Sequence, residues 1–114
     1  MPTNHKSIQD STTHLPDGLQ NSYEQDFEVS GLNSDTRPVL AYRLSPTNPP
    51  VTLQIDLNGT MIVNETFQTT ASRTFLEIVE DGVANDGENT LTMRRQAGPG
   101  TFAISDIVLL YSQD

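Results

Sequence analysis

The chain has no cysteine and no tryptophan among its 114 residues, and both histidines, His5 and His14, lie near its N-terminus. Without cysteine there are no disulfides, zinc–thiolate sites, iron–sulfur ligands or cysteine nucleophiles. A histidine base for a serine nucleophile cannot be assembled outside the N-terminal segment. The fifteen acidic residues show no spacing that singles out a glycosidase pair. The sequence therefore predicts a protein that is not an enzyme.

Positive charge and long apolar runs are also scarce. Six basic residues stand against fifteen acidic ones, which gives a net charge of −9. Nucleic acids and anionic membranes are bound by basic surfaces that displace counterions, so neither is an expected partner. No run approaches the ~20 apolar residues of a membrane span, and the N-terminus lacks the basic and apolar regions of a signal peptide. The expected location is therefore cytoplasmic by default.

Large apolar side chains are rare in residues 1–22, where Ile8, Leu15 and Leu19 stand among Thr, Ser, Asn and Gln. Such a segment buries too little apolar surface to offset the entropy that it loses on ordering. We predict a flexible polar tail over residues 1–22 and a single folded domain over residues 23–114. The alternative is an arm that becomes ordered against a partner chain.

The folded part is dominated by alternating patterns. In residues 51–57, apolar side chains at odd positions alternate with polar ones at even positions, which is the period of a half-buried strand. Asn58-Gly59 favours a tight type I′ turn, and the following residues, 60–67, supply the return strand. The sequence therefore predicts a β-hairpin at this position.

Other short strands are predicted over residues 23–29, 39–44, 73–79, 90–94 and 101–111. Three prolines in residues 45–50 are expected to end the second of these. In residues 73–79 we expect Leu76 and Ile78 to face the core. The last strand changes the parity of its apolar residues, which predicts a β-bulge at Ser105-Asp106. Seven short strands separated by segments that contain glycine and proline predict an all-β, antiparallel, two-sheet sandwich.

Two turn motifs give the chain a family resemblance. Leu57-Asn-Gly-Thr60 closes the hairpin, and Gly87-x-Asn89-x-Leu91-x-Met93 precedes the last strand. The order resembles galactose-binding-like jelly rolls, which occur as carbohydrate-binding modules and as accessory domains of glycosidases. The resemblance covers roughly residues 38–111. It implies a jelly-roll-like sandwich and a non-catalytic, lectin-like, carbohydrate-binding function, although this chain lacks the Trp that most often stacks on a sugar.

A sugar site needs an aromatic platform and planar polar groups that bond hydroxyls. The loop of residues 33–37 carries an amide, a carboxylate and a guanidinium. For Tyr42 the alternative is a place in the core, because this residue lies on the apolar face of its strand. The predicted ligand-binding residues are Asn33, Asp35, Arg37, Tyr42 and Arg73.

Residues 80–89 hold six oxygen-bearing side chains, the kind of ligand that calcium favours. A structural Ca²⁺ is the one cofactor that the sequence brings into consideration. The alternative is a solvated turn, because the spacing does not match an EF-hand loop. The candidate metal ligands are Asp81, Asn85, Asp86 and Glu88.

A function without a small-molecule ligand competes with the carbohydrate-binding one. An open sandwich has strand edges that another strand can extend, and the N-terminal segment could pair along such an edge of a neighbouring subunit. The alternative prediction is therefore a self-associating structural or protein-interaction domain that forms a homo-oligomer through its N-terminal arm.

Overall fold

The computed structural model describes residues 3–9, 12–15, 21–97 and 100–113. Within these ranges there is no helix, and therefore none that could cross a membrane. The strands are β1 (Thr3–Gln9), β2 (Thr13–Leu15), β3 (Ser22–Val29), β4 (Val39–Thr47), β5 (Val51–Leu57), β6 (Thr60–Phe67), β7 (Arg73–Ile78), β8 (Gly87–Ala97) and β9 (Thr101–Ser112).

The strands form two antiparallel sheets whose inner faces enclose one hydrophobic core. In the first sheet the order is β1-β9-β4-β7, and the short β2 also pairs with β9. In the second sheet the order is β3-β8-β5-β6. Apolar side chains from both sheets form the core cluster. The predicted all-β, two-sheet sandwich is therefore confirmed.

Strands β5 and β6 form the predicted hairpin. Asn58 and Gly59 have φ angles of 52° and 82°, and a type I′ turn requires positive φ at both central residues. Every odd-numbered residue of β5 is buried, as the alternation predicts. A slip of one residue would expose this whole apolar face, so the register is strongly determined.

Strand β9 contains the predicted bulge. Ala41 of β4 pairs with Val108 and Arg43 pairs with Ser105, so β9 holds one more residue than β4 between these pairs. Within this interval Asp106 has a φ of 53°. The extra residue keeps the apolar side chains on both sides of the bulge in the core: Phe102, Ile104, Ile107, Leu109 and Tyr111.

The flexible tail predicted over residues 1–22 does not match the described part of that segment. Strands β1 and β2 pair with β9 of the same chain. Ile8 and Leu15 are 8% and 0% exposed and belong to the core. Pairing with β9 uses backbone groups that every residue type carries, so a polar composition does not prevent it. Residues 1–2, 10–11 and 16–20, with Leu19, lie outside the described residues.

Strand β7 has the opposite orientation from the one that we predict. Leu76 and Ile78 are 66% and 59% exposed, whereas Val79, directly after the strand, is fully buried. The register pairs Phe75 with Tyr42 of β4, which points inward. Apolar residues occur at both odd and even positions of this segment, so its alternation does not determine which face is buried. The pairing with β4 places the odd-numbered residues toward the core. The outer face of the first sheet is left with an apolar surface.

Strand β4 extends three residues beyond its predicted end, through Pro46. Residues 45–47 pair with β9, but pairing with β7 stops at Leu44. This part of β4 is therefore a sheet edge on one side, where a proline does not break a ladder.

Candidate functional site

Three connections meet at one end of the sandwich: residues 30–38, the turn at 58–59 and residues 79–86, which lead into the start of β8. We call this region the loop end. The Asn58 side-chain amide donates to the carbonyl of Val83 at 2.7 Å and to Oδ1 of Asn89 at 2.8 Å. Its Oδ1 accepts from the backbone N–H of Thr90 at 2.8 Å. Asn58 therefore fastens the hairpin turn to the β7–β8 loop.

Asn89 is the centre of the loop end and is 2% exposed. Its Oδ1 also accepts from the backbone N–H of Asn85 at 2.7 Å. Its amide donates to the carbonyls of Asn85 and Gly87 at 2.9 and 3.2 Å. These bonds hold the backbone of the β7–β8 loop and of the start of β8, so the asparagine of the Gly-x-Asn-x-Leu motif has a structural role here.

The predicted ligand loop is also occupied by its own hydrogen bonds. Asn33 is buried, and its Oδ1 accepts from the backbone N–H of Asp35 at 2.8 Å. Arg37 lies 3.6 Å from Glu80 in an exposed ion pair, and such pairs add little stability. Asp35 is exposed. A ligand role for these three residues stays a prediction, and the asparagine is already used within the loop.

The candidate calcium ligands lie in the β7–β8 loop and at the start of β8. Oδ1 of Asp86 accepts from the backbone N–H groups of Gly31 and Leu32 at 2.9 and 3.4 Å. Asn85 donates to the carbonyl of Glu88 at 3.4 Å. No cluster of three or more Asp, Glu or His residues that could hold a metal occurs in the described parts of the chain. Asp81 is exposed, and a calcium role for these four residues stays a prediction.

Tyr42 is not the exposed aromatic platform that the predicted ligand site requires. It is 0% exposed, and its ring stacks on Phe75 with centroids 5.5 Å apart. This outcome matches the alternative of a core residue. Arg73, by contrast, is exposed and begins β7. The structure places it near the inner residues of that strand and apart from the loop end.

A second feature opens where β6 and β7, the edge strands of the two sheets, face each other. Here Phe67 contacts Phe75 across the sandwich at a centroid distance of 5.3 Å. A cleft of about 230 Å³ lies at this edge. We call it the edge cleft, and its lining residues are Glu65, Thr66, Phe67, Gln68, Thr69, Ala71, Arg73 and Phe75.

Behind the edge cleft, burial and negative charge both act on Glu77 and Tyr42. Glu77 follows Phe75 on the inward face of β7, and the charge of Glu65 on β6 acts on it from across the edge. Burial first, and then Glu65, raise the pKa of Glu77. Burial raises the pKa of Tyr42 well above 10.0, and the charges of Glu77 and Glu65 add to this shift. The Tyr42 hydroxyl is therefore protonated at neutral pH.

The Tyr42 hydroxyl is buried and has no hydrogen-bond partner among the described residues. A buried hydroxyl without a partner costs about 1–3 kcal/mol. Sequence analysis does not find this arrangement, because it places Leu76 and Ile78 inward and so turns Glu77 outward. The sequence does contain a signal for this orientation. The odd-numbered residues of the segment 73–79 include two apolar ones, Phe75 and Val79, which share a face with Glu77.

No family model matches the chain, and no curated protein does. Solved structures do match. One is the CBM36-1 domain of a multidomain xylanase from the hindgut metagenome of Trinervitermes trinervoides, with a TM-score of 0.61 and 9% identity over 97% of this chain and 99% of that domain. Another is a carbohydrate-binding module CBM36 in complex with calcium and xylotriose, with a TM-score of 0.56 and 8% identity over 96% and 99% of the two chains.

A larger protein contains the same fold. Dimeric latent PorU from Porphyromonas gingivalis matches 98% of this chain with a TM-score of 0.72 and 9% identity, and the chain spans 12% of the length of PorU. At these identities the matches establish the fold. The chain is therefore a β-sandwich of the kind found in carbohydrate-binding modules, as the family resemblance implies.

Proposed function

We propose that the chain is a non-catalytic binding module whose ligand is a carbohydrate. The observation that carries this proposal is the match, nearly end to end on both chains, with two solved carbohydrate-binding modules. The edge cleft adds chemical support, because it combines two aromatic rings, one carboxylate and a guanidinium in its lining. Sugar sites use such aromatic surfaces with a few placed polar groups.

The proposal excludes glycoside hydrolysis in spite of the pair Glu65 and Glu77. Two carboxylates cleave a glycosidic bond only when both reach it from opposite sides of an accessible sugar. Glu77 is not among the residues that line the edge cleft. We therefore expect no release of reducing ends from polysaccharides. Release that disappears in Glu65→Gln would contradict the non-catalytic proposal.

The direct test of the proposed function is an amide NMR titration of the ¹⁵N-labelled chain. The probes are xylose, glucose, galactose, mannose and their short oligosaccharides, each with calcium and then with a chelator. We expect saturable shifts of a limited group of amides with at least one sugar. If no sugar shifts any amide at millimolar concentration, carbohydrate binding is ruled out. A change caused by calcium alone would support the predicted calcium site.

The outer face of the first sheet favours protein interaction as a second candidate function. Leu76, Ile78 and Leu110 are 66%, 59% and 39% exposed on this face. Deleting residues 1–22 is not a clean test of self-association, since the deletion would remove Ile8 and Leu15 from the core. The matched test is light scattering of the whole chain and of Leu76→Ser/Ile78→Ser. A defined oligomer that this variant loses would support the second function, and a monomer in both would oppose self-association.

A further inference from the structure

Strand β7 is the last strand of the first sheet and has a free edge. It pairs with β4 on one side, and no strand of the described chain pairs with it on the other. Its inward side chains Phe75 and Glu77 are only half-buried, whereas every inward side chain of β4 is buried. An edge strand presents backbone N–H and C=O groups that another strand can pair. The edge of β7 is therefore open to strand addition.

The outward side chains beside this edge form an apolar patch. Leu76 and Ile78 are 66% and 59% exposed. The pairing with β4 places the half-buried Ala41 beside Leu76 and the half-buried Val39 beside Ile78. Val39 also pairs with Leu110 of β9, which is 39% exposed. The patch thus begins at the free edge, and contiguous exposed apolar surface of this kind marks interaction sites.

The edge of the second sheet at β3 shows what a protected edge looks like. Its outward side chains include Glu24, Asp26 and Glu28, and the strand holds no basic residue. Two copies of β3 side by side would bring like charges together, which destabilises a strand pair. Strand β7 instead holds one base and one acid, Arg73 and Glu77. It therefore lacks the charge repulsion that keeps a second copy away from β3.

The spacing of these two charges matches a second copy of β7 itself. Arg73 and Glu77 are four residues apart, so they lie on the same face of the strand. In an antiparallel pair of β7 strands centred on Phe75, Arg73 of each copy stands opposite Glu77 of the other. Opposite charges in directly opposed positions stabilise a strand pair. On the outer face, the same register sets Leu76 of each copy beside the uncharged Thr74 of the other.

We propose that β7 is a dimerisation edge, where two copies of the chain pair antiparallel with Arg73 of each copy opposite Glu77 of the other. The two first sheets then form one continuous sheet, and the symmetric contact closes at two copies. A head-to-tail contact of β7 with β3 is less favourable, because it would set Glu24, Asp26 and Glu28 against the apolar patch. The inference goes beyond carbohydrate binding and gives the second candidate function an interface.

The test exchanges the two charges and measures mass by light scattering over about a hundredfold range of chain concentration. Arg73→Glu and Glu77→Arg each place like charges at both contacts of a dimer of identical copies. A mixed dimer of the two variants has opposite charges at both contacts again. Glu24→Arg makes the same change of charge on β3 as Glu77→Arg does on β7 and is the matched control. Arg73 is exposed, so Arg73→Glu tests the edge even if Glu77→Arg folds poorly.

We expect the wild type and Glu24→Arg to dimerise as the concentration rises. Each β7 variant should dimerise about tenfold more weakly, because two attractive pairs become two repulsive ones. The mixture of the two should recover the wild-type affinity. A wild type that stays monomeric, a mass above two copies, a dimer that Arg73→Glu leaves unchanged or a mixture of folded variants without recovery would each overturn the inference. The sugar titration is a separate measurement, so none of these results bears on carbohydrate binding.

Discussion

The loop end and the edge cleft are both polar, but they use their polar groups in opposite ways. At the loop end, the side chains of Asn58, Asp86 and Asn89 bond to the protein's own backbone. Behind the edge cleft, where the Tyr42 ring stacks on Phe75, the Tyr42 hydroxyl is buried without a partner among the described residues. Polar residues in a loop therefore do not by themselves mark a binding site. Groups that the protein leaves unbonded are the better indication.

The largest effect is expected from Asn89→Ala. The change removes a 2% exposed side chain that makes four hydrogen bonds to Asn58, Asn85 and Gly87. We expect a loss of about 2–4 kcal/mol in the free energy of unfolding, because backbone groups lose their partners. Urea unfolding measures the loss, and Asn64→Ala at an exposed position of β6 is the matched control. If the two variants were equally stable, the hydrogen bonds of Asn89 would not stabilise the loop end.

A smaller loss is expected from Asp86→Ala. Its carboxylate accepts from the backbone N–H groups of Gly31 and Leu32, and such bonds contribute about 1 kcal/mol. The comparison variant is Asp81→Ala in the same loop. Thermal unfolding with calcium and with a chelator is the measurement, and we expect the same difference in both. A wild-type melting temperature that calcium raises, with no rise in Asp86→Ala, would establish the calcium site that the sequence predicts.

Glu77→Gln should raise stability by a still smaller amount, and only in one pH range. Burial and Glu65 raise its pKa above the ordinary 4.5, so the ionised form is less favourable in the folded chain than in the unfolded one. The unfavourable contribution therefore grows as the pH rises through the raised pKa. We expect a higher melting temperature for Glu77→Gln at pH 7. The gain should disappear below the ordinary pKa.

A matched control separates Glu77 from the general effect of lowering the negative charge. Glu24→Gln removes the same charge at an exposed position of β3. A chain with net charge −9 could gain stability from either change through weaker self-repulsion. Equal gains in stability from both variants at pH 7 would show that the gain comes from the lower net charge and not from the surroundings of Glu77.

The smallest effect is expected from Asp35→Ala in the loop that sequence analysis selects for ligand binding. Asp35 is exposed, and its backbone N–H, which the substitution keeps, makes the bond to Asn33. We expect unchanged stability within about 0.5 kcal/mol and unchanged sugar affinity in the NMR titration. A loss of affinity would return the binding site to the loop end.

The two parts of the molecule also differ in how far sequence predicts them. The β5–β6 hairpin and the β9 bulge follow from apolar residues of one clear parity, and the structure confirms both. Strand β7 has apolar residues at both parities, so its orientation depends on its pairing with β4. The edge cleft could not be predicted because it depends on that orientation. Strands β1 and β2 depend on backbone pairing with β9, which composition does not reveal.

The most direct test of the central claim needs no ligand. It compares the urea unfolding of the wild type with that of Tyr42→Phe at pH 7. If the hydroxyl is unbonded in the free protein, Tyr42→Phe is at least as stable as the wild type, since the substitution removes only a buried group without a partner. A loss of more than about 1 kcal/mol would mean that the hydroxyl already has a partner in the free protein. That result would contradict the description of the Tyr42 hydroxyl as unbonded.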